Sequence, residues 1–405
     1  MLTKMAWRNI WRSRRRSLIT MSSIMFAVFF AVAMRSLQFG TYDRLIENIV
    51  NSFSGYIQLH QAGYWDDQVV DNAMPLDGIP QLISAEIESV IGVYPRIESF
   101  ALAASDEKTR GVFVVGLNAD LEESMLGLSA KIASGKLFSA TDPGLLIGER
   151  LAKNLGVSVG DTLILLGQGY HGLSAAGKYP VSGLIAYPSP QMGLSLVLLS
   201  FHESEELFST FGLATSLVIQ IEHRKDVFDI RDKILALVDT TKVEALTWEE
   251  MMPELVQTIQ VDSSGGMIMI MILYLVISFG IFGTLLMMLN ERQFEFGVLL
   301  AIGMSRLRLI GVLIVEMIFL AIGGIIAGVL LALPLQYYFN ANPIQLLGRQ
   351  AEVMESYGWE AIMASSTDLS ISITHAGGVL VVTLLISLYA VVVLSRIRPA
   401  EAMRP

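Results

Sequence analysis

Four long apolar stretches, one near the start and three near the end, constrain this chain more than any other feature. Leu18–Met34, Gly265–Leu289 and Ala376–Ser395 contain no charged residue, and Leu309–Phe339 contains only Glu316. A helix needs roughly 17–25 mostly apolar residues to cross a bilayer. Hydrocarbon offers peptide groups no water, so each stretch must satisfy its own backbone hydrogen bonds, and helix is the form that does so. The expected fold class is an α-helical membrane protein with four transmembrane helices, arranged 1+3, and a large extracytoplasmic α+β domain inserted between helices 1 and 2. The expected boundaries are a cytoplasmic amphipathic N-terminus at 1–17, a first span at 18–40 and the extracytoplasmic domain at 41–264. A second span at 265–290, a cytoplasmic loop at 291–308 and a third span at 309–340 follow. An extracytoplasmic loop at 341–375, a fourth span at 376–395 and a cytoplasmic tail at 396–405 complete the reading.

Charge orients these segments. Lys4, Arg8, Arg12, Arg14, Arg15 and Arg16 precede the first stretch, Arg292, Arg306 and Arg308 lie between the second and third, and Arg396, Arg398 and Arg404 follow the fourth. By the positive-inside rule these three segments are cytoplasmic, and both termini with them. Residues 35–266 carry 15 Lys and Arg against 30 Asp and Glu, so the acidity of the chain belongs to its outer domain. That balance argues against nucleic acid as a partner, because neutralising phosphates takes Lys and Arg. Trp7 and Trp11, with Ile10 among basic residues, suit a segment lying at the inner membrane surface. Arg14–Arg16, an apolar run and Ala31-Val32-Ala33 imitate a cleavable export signal. The chain continues through Arg35-Ser36-Leu37 and three more spans follow, so the first stretch reads as an uncleaved anchor.

The outer domain alternates short β-rich runs with helical ones. Gly55–Leu59, Gly111–Val115, Leu145–Ile147, Thr162–Leu166, Val181–Ile185, Leu194–Leu199 and Leu217–Ile221 read as strands. Ile79–Val90, Arg150–Leu155, Phe201–Phe211 and Asp226–Val238 read as helices. This alternation predicts an α+β domain of two interleaved pieces rather than a sandwich. Asp226 is placed to cap a helix whose apolar stripe holds Val227, Ile230, Ile234 and Leu235. The chain has no cysteine, which excludes iron–sulfur clusters, Cys-based zinc sites and a catalytic thiol.

Apparent catalytic motifs fail on their context. Gly167-Gln168-Gly169-Tyr170-His171-Gly172 matches G-x-G-x-x-G but leads through Gly177-Lys178-Tyr179-Pro180 into another strand. A dinucleotide site needs a helix there and an acidic residue about 20 positions on. We read it as a flexible hairpin loop. Gly172–Lys178 fits G-x-x-x-x-G-K, yet Tyr179 stands where Ser or Thr would hold magnesium. His60, His171, His202, His223 and His375 are isolated, without metal-ligand spacing. Asp66-Asp67, Glu122-Glu123 and Glu203–Glu206 read as solvated faces. No catalytic, cofactor-binding or metal-binding residue is expected, and the chain reads as a non-enzyme.

The loop after the second span is more specific. In Asn290-Glu291-Arg292-Gln293-Phe294-Glu295-Phe296-Gly297-Val298-Leu299-Leu300-Ala301-Ile302-Gly303-Met304-Ser305-Arg306, Phe294, Val298 and Ile302 recur every four residues. Glu291, Arg292 and Glu295 lie off that stripe. This predicts a short amphipathic helix that Gly303 ends in a left-handed cap. Such a helix either merely turns the chain or inserts into a cytoplasmic motor subunit.

These residues, with Met304 and Glu316, resemble the permease subunits of ABC transporters of the MacB, FtsX and lipoprotein-releasing (LolC/LolE) group. So do Ala6-Trp7-Arg8-Asn9-Ile10-Trp11-Arg12 with Arg16, the ending Pro399-Ala400-Glu401-Ala402-Met403-Arg404-Pro405, and Leu146-Ile147-Gly148-Glu149 through Val159-Gly160-Asp161-Thr162 in the outer domain. The last of these is similar to the family's MacB-like periplasmic module. The resemblance covers nearly the whole chain. Gly55-Tyr56-Ile57-Gln58-Leu59-His60 and Gly63-Tyr64 look most like the LolC/LolE permeases. MacB-type chains carry a fused ATPase ahead of the first span, whereas this chain opens on its membrane anchor.

The resemblance implies a permease of the bacterial inner membrane, coupled through Glu291, Arg292, Phe294, Glu295, Val298, Ile302, Gly303 and Met304 to a dimer of a cytoplasmic ABC ATPase. ATP and magnesium would be bound by that partner, with no cofactor on this chain. It also implies a second permease, identical or homologous, a lipoprotein or lipid-like cargo and a periplasmic lipoprotein carrier. Movement of the coupling helices would be passed mechanically through the spans to the outer domains. Gly280 and Gly283 in the second span, and Gly324 and Gly328 in the third, permit close helix approach, whether for ordinary packing or for transmission. Glu316 is costly in hydrocarbon if charged, so it should face protein or sit near the inner interface. An FtsX-like scaffold that regulates a cell-wall hydrolase, and a MacB-like efflux permease, remain open beside lipoprotein release.

The charge pattern makes a direct prediction. Topology reporters fused at residue 70 or 200 should register outside the cell, and one at residue 405 inside. A cytoplasmic signal from residue 200 would overturn the orientation.

Overall fold

The computed structural model describes residues 2–106, 108–139, 143–187, 190–356 and 361–396. Helix α1 (Leu2–Arg12) is followed by α2 (Arg14–Ile49), which runs into a π turn at Val50–Ser54. The ten strands of the main sheet come next, interleaved with helices: β1 (Ile57–Gln61), α3 (Ile79–Glu86), β2 (Val90–Ala104), β3 (Thr109–Leu117), α4 (Ala119–Leu126), β4 (Ile132–Gly135), β5 (Leu145–Gly148) and α5 (Glu149–Leu155). Then follow β6 (Thr162–Gln168), β7 (Ser174–Ile185), β8 (Leu196–Ser200), α6 (Phe201–Phe208), β9 (Ser216–Ile221), α7 (Val227–Leu237) and β10 (Val243–Thr247). The chain closes with α8 (Pro253–Glu291), α9 (Gln293–Ala301), α10 (Arg306–Ala341) and α11 (Leu369–Arg396). Helices α2, α8, α10 and α11 are each long and apolar enough to cross a membrane. They extend beyond the apolar stretches, α8 by twelve residues at its start. The tail motif Pro399–Pro405 lies outside the described residues.

Two compact units emerge: Met1–Asp43 with Thr258–Gln345 and Ile362–Pro405, and Arg44–Gln257 with Leu346–Ala361. In the second, the sheet path is β10-β1-β9-β2-β3-β8-β5-β7-β4, with β6 pairing both β2 and β7. The pairings β2–β3, β3–β8, β8–β5, β5–β7, β7–β6 and β6–β2 therefore form a closed ring of six strands. Closure removes the free edges that an open sheet would present. Alternate residues of every ring strand point into one core, including Ile97, Val114, Ile147, Leu165, Val181 and Leu199, and α5 and α6 seal it with Leu151, Leu155 and Phe208. The period of two along each strand is what puts these side chains on one face.

Strand β2 joins the two lobes. Its first part pairs with β9, Val90 to Arg96, and its second with β3, Ile97 to Ala104. This strand, β4 and β10 have no counterpart among the expected strands. Gly92, Pro95, Arg96 and Glu98 interrupt the apolar alternation of β2, and Pro is rare inside a sheet because it donates no ladder bond. At the junction Glu98 N–H donates to Thr215 Oγ1 at 2.8 Å instead. The helix expected at Ile79–Val90 stops at Glu86, because β2 claims Val90. The helix expected to reach Phe211 stops at Phe208, where Ser209 turns left-handed. Asp226 occupies the cap position of α7 without making a side-chain capping bond, because a 3-10 turn at Arg224–Asp226 leads in. Caps do form elsewhere: Asn118 accepts from Asp120 and Leu121 N–H, and Thr247 with Glu250 makes a capping box.

The G-x-G-x-x-G segment is the β6–β7 hairpin, a short 3-10 turn at Tyr170–Gly172 between paired strands. No helix starts there, and Lys178 lies exposed on β7. Among the described residues no group of three or more His, Asp or Glu is placed to hold a metal. The carboxylate Glu122, expected on a solvated face, is fully buried against Arg96.

In the first unit, α2, α8, α10 and α11 share one apolar core that includes Ile24, Val28, Leu285, Leu313, Leu320 and Val379. Gly324 and Gly328 of α10 meet α2 directly. A Cβ on Gly324 would stand 2.7 Å from Ile24, and one on Gly328 would stand 2.6 Å from the Met25 carbonyl. Gly280 and Gly283 of α8 make no such contact among the described residues, since a Cβ there would meet nothing within 4 Å. Several polar groups inside this unit are paired: Gln336 donates to Ser36, Arg35 to Gln38 at 2.5 Å, and Tyr274 bonds His375 Nδ1 at 2.8 Å.

Two buried groups of the sheet domain tie its stability to pH with opposite signs. Burial pulls His60, stacked on Tyr64, down to about 4. Its folded pKa is depressed, so its contribution is present above the unfolded value near 6.5 and lost as pH falls through about 4. Burial raises Glu98, against the opposing pull of Arg96, so stability is lost as pH rises through its folded pKa. In thermal unfolding of residues 44–257, His60→Asn should flatten the loss of Tm between pH 6.5 and 4, and Glu98→Gln should raise Tm on the alkaline side. Parallel pH profiles for both variants and the native chain would refute the assignment.

Candidate functional site

Helix α9 leaves α8 at a single residue, Arg292, which takes the N-terminal cap position. The helix ends as Gly303 turns left-handed at φ 99°. Gly303 N–H donates to the Leu300 carbonyl at 3.1 Å and Met304 N–H to Leu299 at 3.0 Å. That pair of bonds is a Schellman cap, which only a residue comfortable at positive φ closes without strain.

The inner side of α9 is made by Phe296 and Gly297, both buried, with Leu299 and Leu300 partly covered. Phe294 and Ile302 point away from the chain, 59% and 79% exposed, and Val298 is half-buried beside them. The helix is thus apolar on two faces rather than amphipathic, because its second apolar face packs on the helices of its own chain. Leu307, just beyond the cap, extends the outward surface at 82% exposure.

Charged residues hold α9 in place. Arg292 Nη1 donates to Glu316 Oε2 of α10 at 2.9 Å, and both side chains are buried. Arg292 Nε donates to Glu295 at 3.4 Å, and Asn9 Nδ2 of α1 reaches the same Glu316 oxygen at 3.4 Å. Arg12 of α1 pairs with Glu295, and Arg16 at the start of α2 pairs with Glu291 at the end of α8. Three helices, α1, α2 and α10, therefore converge on the short segment 291–295. A cavity of about 390 Å³ lies among them, lined by Met5, Asn9, Arg12, Glu295, Leu313 and Glu316 among others. Ala6 of α1 is buried and Trp7 packs edge-on against Phe319 of α10 at 6.1 Å, while Trp11 is exposed.

Of the residues singled out from the sequence, Glu291, Arg292, Glu295 and Glu316 meet in one network. Phe294, Val298 and Ile302 form the outward surface, and Gly303 and Met304 make the cap. Gly324 and Gly328 lie in the α2–α10 contact, and Gly280 and Gly283 face away from it. Arg12, Arg16 and Asn9 belong to the network without having been assigned to it. Nothing in their spacing marks partners some 280 residues away.

Residues 17–237 match the model of the MacB-like periplasmic core domain, and residues 267–399 match the FtsX-like permease C-terminal model. The chain is similar to the macrolide export ATP-binding/permease protein MacB of Agrobacterium fabrum, at 22% identity over 370 residues. That match takes in 83% of this chain and 53% of the relative, so the chain spans about half the relative's length. Among solved structures it is similar to the periplasmic region of MacB from Actinobacillus actinomycetemcomitans, at 12% identity and TM-score 0.38, covering 53% of this chain and 97% of that one. It is also similar to the extracellular domain of the noncanonic ABC-type transporter YknZ from Gram-positive bacteria, at 14% identity and TM-score 0.35, covering 48% and 100%.

The buried pair predicts a non-additive response. Glu316→Leu alone leaves Arg292 charged and buried with only the longer 3.4 Å contact to Glu295, which costs up to about 3–5 kcal/mol, whereas replacing both partners by apolar residues is far milder. Thermal unfolding of the detergent-solubilised protein should show a large loss of Tm for Glu316→Leu and recovery in Arg292→Met/Glu316→Leu. A double variant as unstable as the single one would contradict the pairing.

Proposed function

The chain belongs to the MacB/FtsX-like family of ABC transporter permeases, and from that premise we propose that it is the membrane subunit through which a separate ATPase does mechanical work. The four long helices cross the cytoplasmic membrane, the sheet domain lies outside, and α1, α9 and both termini lie in the cytoplasm. The observation that carries this reading is the outward apolar surface of Phe294, Val298, Ile302 and Leu307 on a helix braced by ion pairs to α1, α2 and α10. Exposed apolar residues on a rigid mount suit a groove in a partner, and the braces pass its displacement on to the long helices. A dimer of ATPase subunits binding ATP and magnesium supplies that groove. The open face of α8, with Gly280, Gly283, Val276 and Phe279 unpacked, suits a second permease.

The cargo we favour is a lipoprotein or similar lipidated molecule, taken from the outer leaflet and passed to a periplasmic carrier. Support comes from the outer wall of the barrel, where Phe100 and Leu102 of β2 and Leu166 of β6 stand exposed in adjacent strands, with Phe113 of β3 at 5.0 Å from Phe100. An apolar patch of this kind on a domain otherwise rich in acid marks a contact surface. Export of an amphiphilic small molecule is the second reading, favoured by the likeness to a macrolide export protein.

Replacing Ile302 by Asp puts a carboxylate into the desolvated contact, which costs several kcal/mol if it stays unpaired. Ile302→Asp should leave the protein in the membrane but lose both co-purification of the ATPase and ATP-driven release of a triacylated peptide from vesicles. Normal capture of the ATPase and normal release would reduce α9 to a connector. Release of a macrolide but of no acylated probe would select the export reading.

A further inference from the structure

Arg96 is fully buried and lies where α2 ends. Its Nη1 donates to the Phe53 carbonyl at 2.6 Å, inside the π turn that terminates α2, and the guanidinium sits 5.1 Å from the Phe53 ring. Its Nε and Nη2 donate to Glu122 Oε2 of α4 at 2.9 and 2.5 Å. Arg96 itself belongs to β2, at the point where that strand changes partner from β9 to β3. One side chain thus ties the π turn that follows α2 to the strand shared by both lobes and to a helix packed against them. The next residue but one, Gly55, is pinned as well, since a Cβ there would stand 2.4 Å from Val218 of β9. The other way out of the domain starts alongside: β1 pairs with β10, and Trp248 N–H donates to the Tyr56 carbonyl at 2.9 Å.

A buried ion pair is weak evidence of stabilisation, because apolar residues of similar volume commonly serve as well or better. A planar fork of donors has a distinct use, since it fixes the mutual orientation of the groups it bonds. We propose that Arg96 is a positioning residue that couples the end of α2 rigidly to β2 and α4, so that displacement of α2 moves the sheet domain as one body. This rests on the mechanical reading above. A lysine would keep the charge opposite Glu122, but its single ammonium cannot reproduce the two-sided fork.

The chain has no native cysteine, so Glu47→Cys on α2 and Asp120→Cys on α4 admit a pair of nitroxide labels in the full-length protein with its ATPase. The distance distribution between them should be narrow with Arg96, broad in Arg96→Met/Glu122→Leu, and partly broadened in Arg96→Lys. The double variant should keep most of its Tm, since Arg96 and Glu122 go together and burial already holds the neighbouring Glu98 toward its neutral form, and it should keep basal ATP hydrolysis. ATP-dependent release of a triacylated fluorescent peptide should fall on the order of tenfold, as expected for a lost coupling contact. An unchanged, narrow distribution in a stably folded double variant overturns the proposal, as does broadening that appears only together with a fall in Tm. If the native complex releases no probe, the transport reading fails, and the label distances still decide whether Arg96 couples α2 to the domain.

Discussion

Arg292 and Glu316 can be out of water only because each faces the other. An isolated charge in a low-dielectric interior costs many kcal/mol, and a pair at 2.9 Å with further hydrogen bonds offsets much of that. This requirement fixes where α9 lies, because Arg292 is its cap and Glu316 is on α10. Once α9 is held there, Glu295 falls within reach of Arg12, and Glu291 meets Arg16. The outward direction of Phe294 and Ile302 is the remaining consequence, since Phe296 and Gly297 already occupy the inner side. An exposed apolar surface therefore stands on a base of ion pairs that resists tilting.

The sheet domain meets a comparable requirement with its backbone. A six-stranded ring leaves no edge along its circuit, and β2 is long enough to serve the ring and the β9–β1–β10 lobe together. A strand that belongs to both lobes makes them hard to move independently. Arg96 and Glu98 sit on β2 beside the change of partner, which explains why charged groups appear in the middle of a buried strand. Glu122 balances the guanidinium, and burial keeps Glu98 closer to its neutral form.

The α2–α10 contact is built for close approach, since a Cβ added at its glycines would stand only 2.6–2.9 Å from backbone and β-branched side chains of α2. Helix α8, by contrast, buries little of itself within its own chain, and its glycines face open space. A helix that is apolar on all sides and only partly covered by its own chain is adapted to lipid or to another subunit.

The amino-acid sequence by itself determined the four long apolar helices, the basic and acidic partition of the chain, the left-handed stop at Gly303 and most of the short strands. Each of these rests on local rules: length against bilayer thickness, charge beside a span, glycine at positive φ, and alternation with a period of two. Only the tertiary structure decided that β2 runs through Gly92 and Pro95, since its pairing with β9 and β3 outweighs the poor propensity of those residues. It also decided which glycines pack and which stay open, because the same small residue means close approach only where another backbone arrives. The partners of Glu291 and Glu295 were illegible for the same reason. Arg16 and Arg12 lie 275 and 283 residues away, and a charge in sequence has no direction until the helices that carry it are placed.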